Sequence, residues 1–226
     1  MPDGKLRKMH PIITDDGLQI SLDLVGEQTS GIVALRARKN PTAIDMTKKG
    51  FYDAEDFFEP VKSSAKGIRF KTGEKCLIAS QGVLYVPSHL SAELRRHYGV
   101  SFRADWDEAG FVDPNWLGDL VFEVTPTQPG GIVLNPLAEK PASALEFFRT
   151  KMKPDKLYGA KIGSHYRGQL GVKVSKHFKH FDYEYAAKNY AKLDREVIVH
   201  DSNILLGFRQ SREGFEPLRR EVAERL

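Results

Sequence analysis

Side chains able to do chemistry concentrate in two stretches. The first is Ala109-Gly-Phe-Val-Asp-Pro-Asn-Trp-Leu-Gly118, followed at once by the apolar run Leu120-Val-Phe-Glu-Val124, which contains one carboxylate, Glu123. Alternation puts Glu123 with Val121 on the face opposite Phe122 and Val124, so it points to solvent or lines a cavity. In a cavity such a carboxylate can take a proton from water and hand it on. The second stretch is Lys156-Leu-Tyr-Gly-Ala-Lys-Ile-Gly-Ser-His-Tyr-Arg-Gly-Gln169. Its glycines let backbone N–H groups approach phosphates, and its Lys, His and Arg supply charge. The same composition also describes ordinary surface loops.

Other chemistries find little support. The chain has seven histidines but no HExxH, and no carboxylate or cysteine stands at ligand spacing from His165, His177 or His180. Lys176-His-Phe-Lys-His180 reads as a basic face. Gly163-Ser164-His165 lacks the surroundings of a nucleophile elbow, which argues against a serine hydrolase. The single cysteine, Cys76, lies in the apolar run Cys76-Leu-Ile-Ala79 and reads as a core thiol, so one chain can build neither a disulfide framework nor a cysteine-rich zinc site.

These residues must be positioned by strands. Leu18 to Val25 alternates apolar and polar side chains and is closed by Gly26; it carries Asp23. Shorter runs follow at Ile32–Leu35, Ile68–Phe70, Cys76–Ala79, Gly82–Val86, Leu120–Val124 and Ile132–Leu134, punctuated by Gly, Pro and Asn. Many short strands without long helices between them indicate a mainly β sandwich or barrel. Between Asn40 and Lys66 a charged, aromatic segment without clean period reads as a long surface excursion. Local rules predict a short helix over Ser91–Gly99, capped by Ser91, and another over Ser143–Met152, from the capping-box pattern Ser143-Ala-Leu-Glu146.

At 226 residues and 41% hydrophobic content the chain can close a core. It reads as an N-terminal arm over 1–10, one domain over 11–181, and a helical C-terminal extension over 182–226, where Phe215, Leu218, Val222 and Leu226 form an apolar stripe. With no long apolar run and no secretory-type N-terminus, the expected location is the cytoplasm, with no membrane partner. A net charge of +4 and a pI near 9.0 lean towards a polyanion but do not choose between nucleic acid and a nucleotide's phosphates.

Taken together, Asp23 in Ile20-Ser-Leu-Asp-Leu24, the Gly73-Glu74 turn, Val86-Pro87-x-x-Leu90, Ala109-Gly-Phe-Val-Asp-Pro-x-Trp-x-Gly118 and Glu123 resemble, in order and approximate spacing, the dCTP deaminases of the dUTPase-like superfamily. The likeness covers roughly residues 10 to 180. Its later part, from Leu157-Tyr-Gly through Gly163-Ser-His-Tyr-Arg-Gly-Gln169 to Phe178, looks like the C-terminal half of the longer bacterial dCTP deaminase-like proteins. The motifs are specific together and weak singly.

The resemblance implies a distorted β-barrel of the dUTPase, or β-clip, type, assembled as a homotrimer with sites at subunit interfaces. It also turns Leu145–Arg149 from helix into core strand. Zinc deaminases use a His/Cys/Cys site, which this chain's one cysteine excludes; the family resembled works without zinc. By the same resemblance Glu123 is the proton-shuttling base, a role that suits a buried carboxylate of raised pKa. Asp113 then positions nucleoside or water, while Ala109, Phe111 and Val112 shape the sugar and base pocket. Tyr158, His165, Tyr166 and Gln169 lie along the nucleotide and its phosphates, His165 standing where a lysine is usual. The ligand implied is dCTP, with dUTP or dTTP as alternatives and no nucleic acid. Mg²⁺ would come held by the phosphates, with no dedicated protein ligands.

One departure stands out. The Arg-Ser motif expected between the Val-Pro and Ala-Gly-Phe-Val-Asp segments is missing; the interval reads Glu93-Leu-Arg-Arg-His-Tyr-Gly-Val-Ser-Phe-Arg103, leaving Arg95 or Arg96 as replacements. Three readings therefore stand: a dCTP deaminase, a dUTP diphosphatase or bifunctional enzyme, and a catalytically silent nucleotide-binding regulatory member.

Overall fold

Short alternating runs become strands where one face can be given to a core and the other left outside. A computed structural model of the chain describes residues 11–26, 29, 31–39, 42–96, 104–107, 110–136 and 141–179. Its strands are β1 (Ile13–Thr14), β2 (Gly17–Ile20), β3 (Ile32–Ala37), β4 (Phe58–Lys62), β5 (Ile68–Phe70), β6 (Cys76–Ala79) and β7 (Leu84–Tyr85). They continue with β8 (Leu90–Arg96), β9 (Ala104–Asp107), β10 (Phe111–Val112), β11 (Leu117–Gly118), β12 (Val121–Pro126), β13 (Ile132–Leu134) and β14 (Ser143–Arg149). One turn of helix, α1 (Ala54–Phe57), and a 3₁₀ turn, Ala160–Ile162, complete the described residues.

Two five-stranded antiparallel sheets, ordered β1-β2-β14-β8-β10 and β4-β3-β6-β12-β9, enclose the main core. Two-stranded ribbons, β7 with β11 and β5 with β13, add Leu84, Ile68, Phe70 and Ile132 to the same core. Leu18, Ala92 and Leu145 from the first sheet meet Ile78, Phe122 and Val124 from the second. On β12 the alternation is plain: Phe122, Val124 and Pro126 are buried, while Val121, Glu123 and Thr125 on the other face are partly open.

The expected mainly β architecture is what the chain adopts, with two local differences. The helix expected over Ser91–Gly99 is instead β8, within a described segment that ends at Arg96. Leu90, Ala92 and Leu94 alternate inward, and β8 hydrogen-bonds β14 on one side and β10 on the other, so sheet pairing outweighs a serine at a plausible cap. The strand read from Leu18 to Val25 is shorter, Gly17–Ile20, with Leu22 bridging Ser80 beyond it. The Asp23 carboxylate then accepts the N–H groups of Val25 and Gly26 and turns the chain away. The capping-box segment is the strand β14, as the resemblance required. The arm over 1–10 and the helical extension over 182–226 lie outside the described residues.

The Asn40–Lys66 excursion is more than a surface loop. Ala54 is buried, and Tyr52, Phe57 and Phe58 ring Phe178, with centroids 5.2 to 6.4 Å apart. These aromatics join Leu35, Val172 and Val174 in a second core on the far face of β3 and β6. Residues 175–179 hold the excursion down: the N–H groups of Phe51 and Tyr52 donate to the His177 carbonyl, and the buried His177 ring lies 3.1 Å from the Met46 carbonyl oxygen.

Candidate functional site

The loop that follows β14 folds back on the turn between β10 and β12. Asn115 adopts a left-handed conformation, φ 70°, which an asparagine tolerates better than most residues. There its N–H donates to the Val86 carbonyl at 2.8 Å, and its Nδ2 donates to the Tyr158 carbonyl at 2.7 Å. Arg167 Nε donates to the Asn115 carbonyl at 3.2 Å, and the Gly168 N–H to the Leu117 carbonyl at 2.6 Å. Gly118 then pairs with Gln169 as a parallel bridge, and a Cβ on Gly118 would stand 3.0 Å from the Gln169 backbone. Glycine is required there both by this approach and by its φ of 140°.

On this seam lie most of the residues expected along the nucleotide. The Trp116 and Tyr158 rings are 5.3 Å apart and tilted by 36°, and the Tyr166 N–H donates to the Tyr158 hydroxyl at 3.2 Å. Burial raises the Tyr158 phenol above its ordinary range, the Tyr166 N–H opposes this, and the negative charge of Asp113 adds to it. Asp113 therefore lies near enough to Tyr158 for its charge to act there. His165 packs edge-on against Tyr166 at 4.6 Å, and its Nε2 lies 2.9 Å from the Val174 carbonyl oxygen. Burial pulls the His165 imidazole below its usual range; the Val174 carbonyl opposes this, and the charges of Lys173 and Lys176 reinforce it. Lys173 Nζ donates to the His165 carbonyl, and burial lowers its pKa as well.

Gln169 is placed differently from the expectation of a phosphate contact. It is buried, its Nε2 donates to the Asp119 carbonyl at 2.6 Å, and its Oε1 has no hydrogen-bond partner among the described residues. Asp119, which sequence reasoning did not single out, is itself buried, and its Oδ2 accepts the Gly171 N–H at 2.6 Å. Burial raises its pKa well above the carboxylate range; the Gly171 N–H opposes this, and the nearby Asp23 charge adds to it. The only sequence signal was an acid inside the apolar run Leu117-Gly-Asp-Leu120.

A raised folded pKa fixes a sign. The contribution of Asp119 to stability is fully present below the unfolded value of about 4, is lost as pH rises through the folded value, and stays lost above it. Asp119→Asn removes this ionisation while keeping an oxygen acceptor. The urea midpoint of the variant relative to the parent is therefore expected to rise between pH 5 and pH 8, and an equal difference at both pH values would contradict the assignment.

The remaining expected residues are on other elements. Arg95 and Arg96 are on β8, where Arg95 makes an ion pair with Glu146 of the neighbouring strand β14. Phe111 is exposed and Val112 buried on β10, opposite Glu93 and Ala92, and Ala109 lies outside the described residues. Glu123 projects from the open face of β12, its side chain 43% exposed and 3.0 Å from Lys75 Nζ. The burial expected for a proton-shuttling carboxylate is thus not supplied within one chain. One chain brings Tyr158, Tyr166, Gln169 and Asp113 together, and it holds Arg95 and Glu123 elsewhere, each with its own ion-pair partner.

Two antiparallel sheets closed by short ribbons, with a returning loop docked at the start of β12, define a mainly β protein of the dUTPase-like fold. The family model "2'-deoxycytidine 5'-triphosphate deaminase (DCD), C-terminal domain" matches residues 5–178, and the chain belongs to that family. Among solved structures it is similar to the 2'-deoxycytidine 5'-triphosphate deaminase from Agrobacterium tumefaciens, with a TM-score of 0.57 and 22% identity. That likeness covers 64% of this chain and 45% of the Agrobacterium chain, less than half the length of that protein. No curated protein matches the chain. Among the described residues no helix is long and apolar enough to cross a membrane.

Proposed function

We propose that the chain handles deoxynucleoside triphosphates and deaminates dCTP to dUTP and ammonia without zinc. The observation that carries this reading is the loop seam: residues 158–171 dock on Asn115–Asp119 and place an aromatic pair, Tyr166 and Asp113 just before the strand that bears Glu123. In the reaction a water oxygen attacks C4 of cytosine and Glu123 takes its proton. Glu123 passes that proton to ring N3, giving a tetrahedral intermediate; the C4 hydroxyl then gives up its proton, through Glu123, to the amine, C4=O forms as the C4–N bond breaks, and ammonia leaves. The reading includes a homotrimer, in which neighbouring copies bring Arg95 and Glu123 to the loop and shield the carboxylate and its attacking water from bulk solvent.

Among the described residues no group of three or more His, Cys, Asp or Glu side chains is placed to hold a metal ion. Mg²⁺ would arrive on the phosphates of the substrate.

A second reading, a catalytically silent nucleotide-binding member, is favoured by three observations. Arg95 is engaged by Glu146, Gln169 faces inward, and the lowered pKa of His165 leaves it a weaker cation than a lysine would be. Incubating the protein with dCTP and Mg²⁺ while following ammonia, dUTP, dUMP and pyrophosphate separates the two. Ammonia with dUTP is the expected result, and pyrophosphate would add diphosphatase action. Binding of dCTP without turnover would establish the silent member.

A further inference from the structure

We infer that Asp119 is a positioning residue for the site: it fixes residues 158–171 against the start of β12 by accepting the Gly171 N–H and giving both of its main-chain groups to Gln169. The inference takes from the proposed function only what the loop binds; the anchoring rests on contacts within this chain.

The seam has two fastenings. At its outer end Asn115 holds the Tyr158 carbonyl, and Arg167 returns to the Asn115 carbonyl. At its inner end the Asp119 N–H donates to the Gln169 carbonyl at 2.9 Å, Gln169 Nε2 donates to the Asp119 carbonyl, and Asp119 Oδ2 accepts from Gly171. The outer fastening is part-buried. The inner one is buried, since Asp119 and Gln169 are 6% and 4% exposed.

A buried carboxyl is costly unless hydrogen-bonded, and an apolar side chain would fill the same space without that cost. Its use here is the acceptor it gives to a backbone N–H that would otherwise be buried without a partner. Gly171 is buried against Thr29: its φ is 67°, and a Cβ there would overlap the Thr29 side chain. Between these fastenings hang Tyr158, His165 and Tyr166, whose relative placement depends on both. The raised pKa of Asp119 fits this role, because an un-ionised carboxyl accepts the Gly171 hydrogen bond through its carbonyl oxygen without burying a charge.

The test is amide hydrogen exchange together with dCTP binding in Asp119→Ala and Asp119→Asn, both in the full chain. Asp119→Ala is expected to speed exchange across 158–171 at least tenfold, with β3 and β6 unchanged, and to weaken dCTP binding at least tenfold. Asp119→Asn, which keeps an acceptor, should restore both. Unchanged exchange in 158–171, or an equal rise in β3 and β6, would overturn the anchoring. A loosened loop with dCTP affinity unchanged would overturn the positioning role. If the parent protein binds no dCTP, the nucleotide reading fails, and exchange alone decides the anchoring. Should Asp119→Ala not fold, Asp119→Leu fills the volume without the acceptor and gives the same readouts.

Discussion

Glu123→Gln is expected to slow ammonia release from dCTP by about 10²- to 10⁴-fold, the usual worth of a positioned general acid–base. The substitution keeps the size of the side chain and removes its ability to hold a proton, so dCTP affinity should change little. Loss of activity through unfolding is separable here. The pair with Lys75 is close to half exposed on both sides, and exposed ion pairs contribute only about 0–1 kcal/mol. A thermal scan should therefore place the variant near the parent. An unchanged rate would remove Glu123 from the mechanism, whereas parallel loss of binding and rate would make it a ligand contact.

A large loss of stability is expected on substituting Gly17. Its φ is 118°, and a Cβ there would overlap the Leu145 carbonyl oxygen and stand 2.8 Å from its carbon. Neither group is the end of a flexible side chain: β14 pairs with β8 along its length and with β2 over Ser143–Leu145. Gly17→Ala adds conformational strain to a backbone clash and should cost about 3 kcal/mol or more. Gly73→Ala is the matched control, because Gly73 also has a positive φ, 76°, but nothing lies within 4 Å of its Cβ position. Strain alone puts that variant at about 1 kcal/mol. Urea unfolding of the two proteins reads the difference, and equal losses would mean that the approach of β2 to β14 is not tight.

Short apolar runs bounded by turn-forming or charged residues were legible from the sequence, since β5, β6 and β13 begin and end where their apolar runs do, whereas the alternation from Leu18 to Val25 outruns its strand. Arg95 and Arg96 stand in the family's motif interval, and they lie on a strand where the sequence suggests a helix. Ser91 and Gly99 imitate helix ends, and only pairing with β14 and β10 reveals the inward row Leu90, Ala92, Leu94. The capping-box pattern on Ser143–Glu146 was equally misleading and was overruled by resemblance, not by any local signal. Asp119 and Lys75 were invisible for another reason. The value of a buried acid depends on Gly171, fifty residues on, and Lys75 meets Glu123 only through the β6–β12 register. The aromatics of the excursion carry no period because they pack around Phe178 as a cluster, not along a face.

The place of β14 has a consequence for how the molecule is made. It sits between β2, at the start of the domain, and β8, near its middle, so the first sheet cannot be completed until the chain has been synthesised past Arg149. Until then β2 and β8 each present an unpaired edge, and closing so long a loop is slow compared with pairing strands nearer in sequence. The nascent chain therefore passes through a stage in which one sheet is half built and its apolar face is uncovered, the stage at which such chains are most exposed to aggregation.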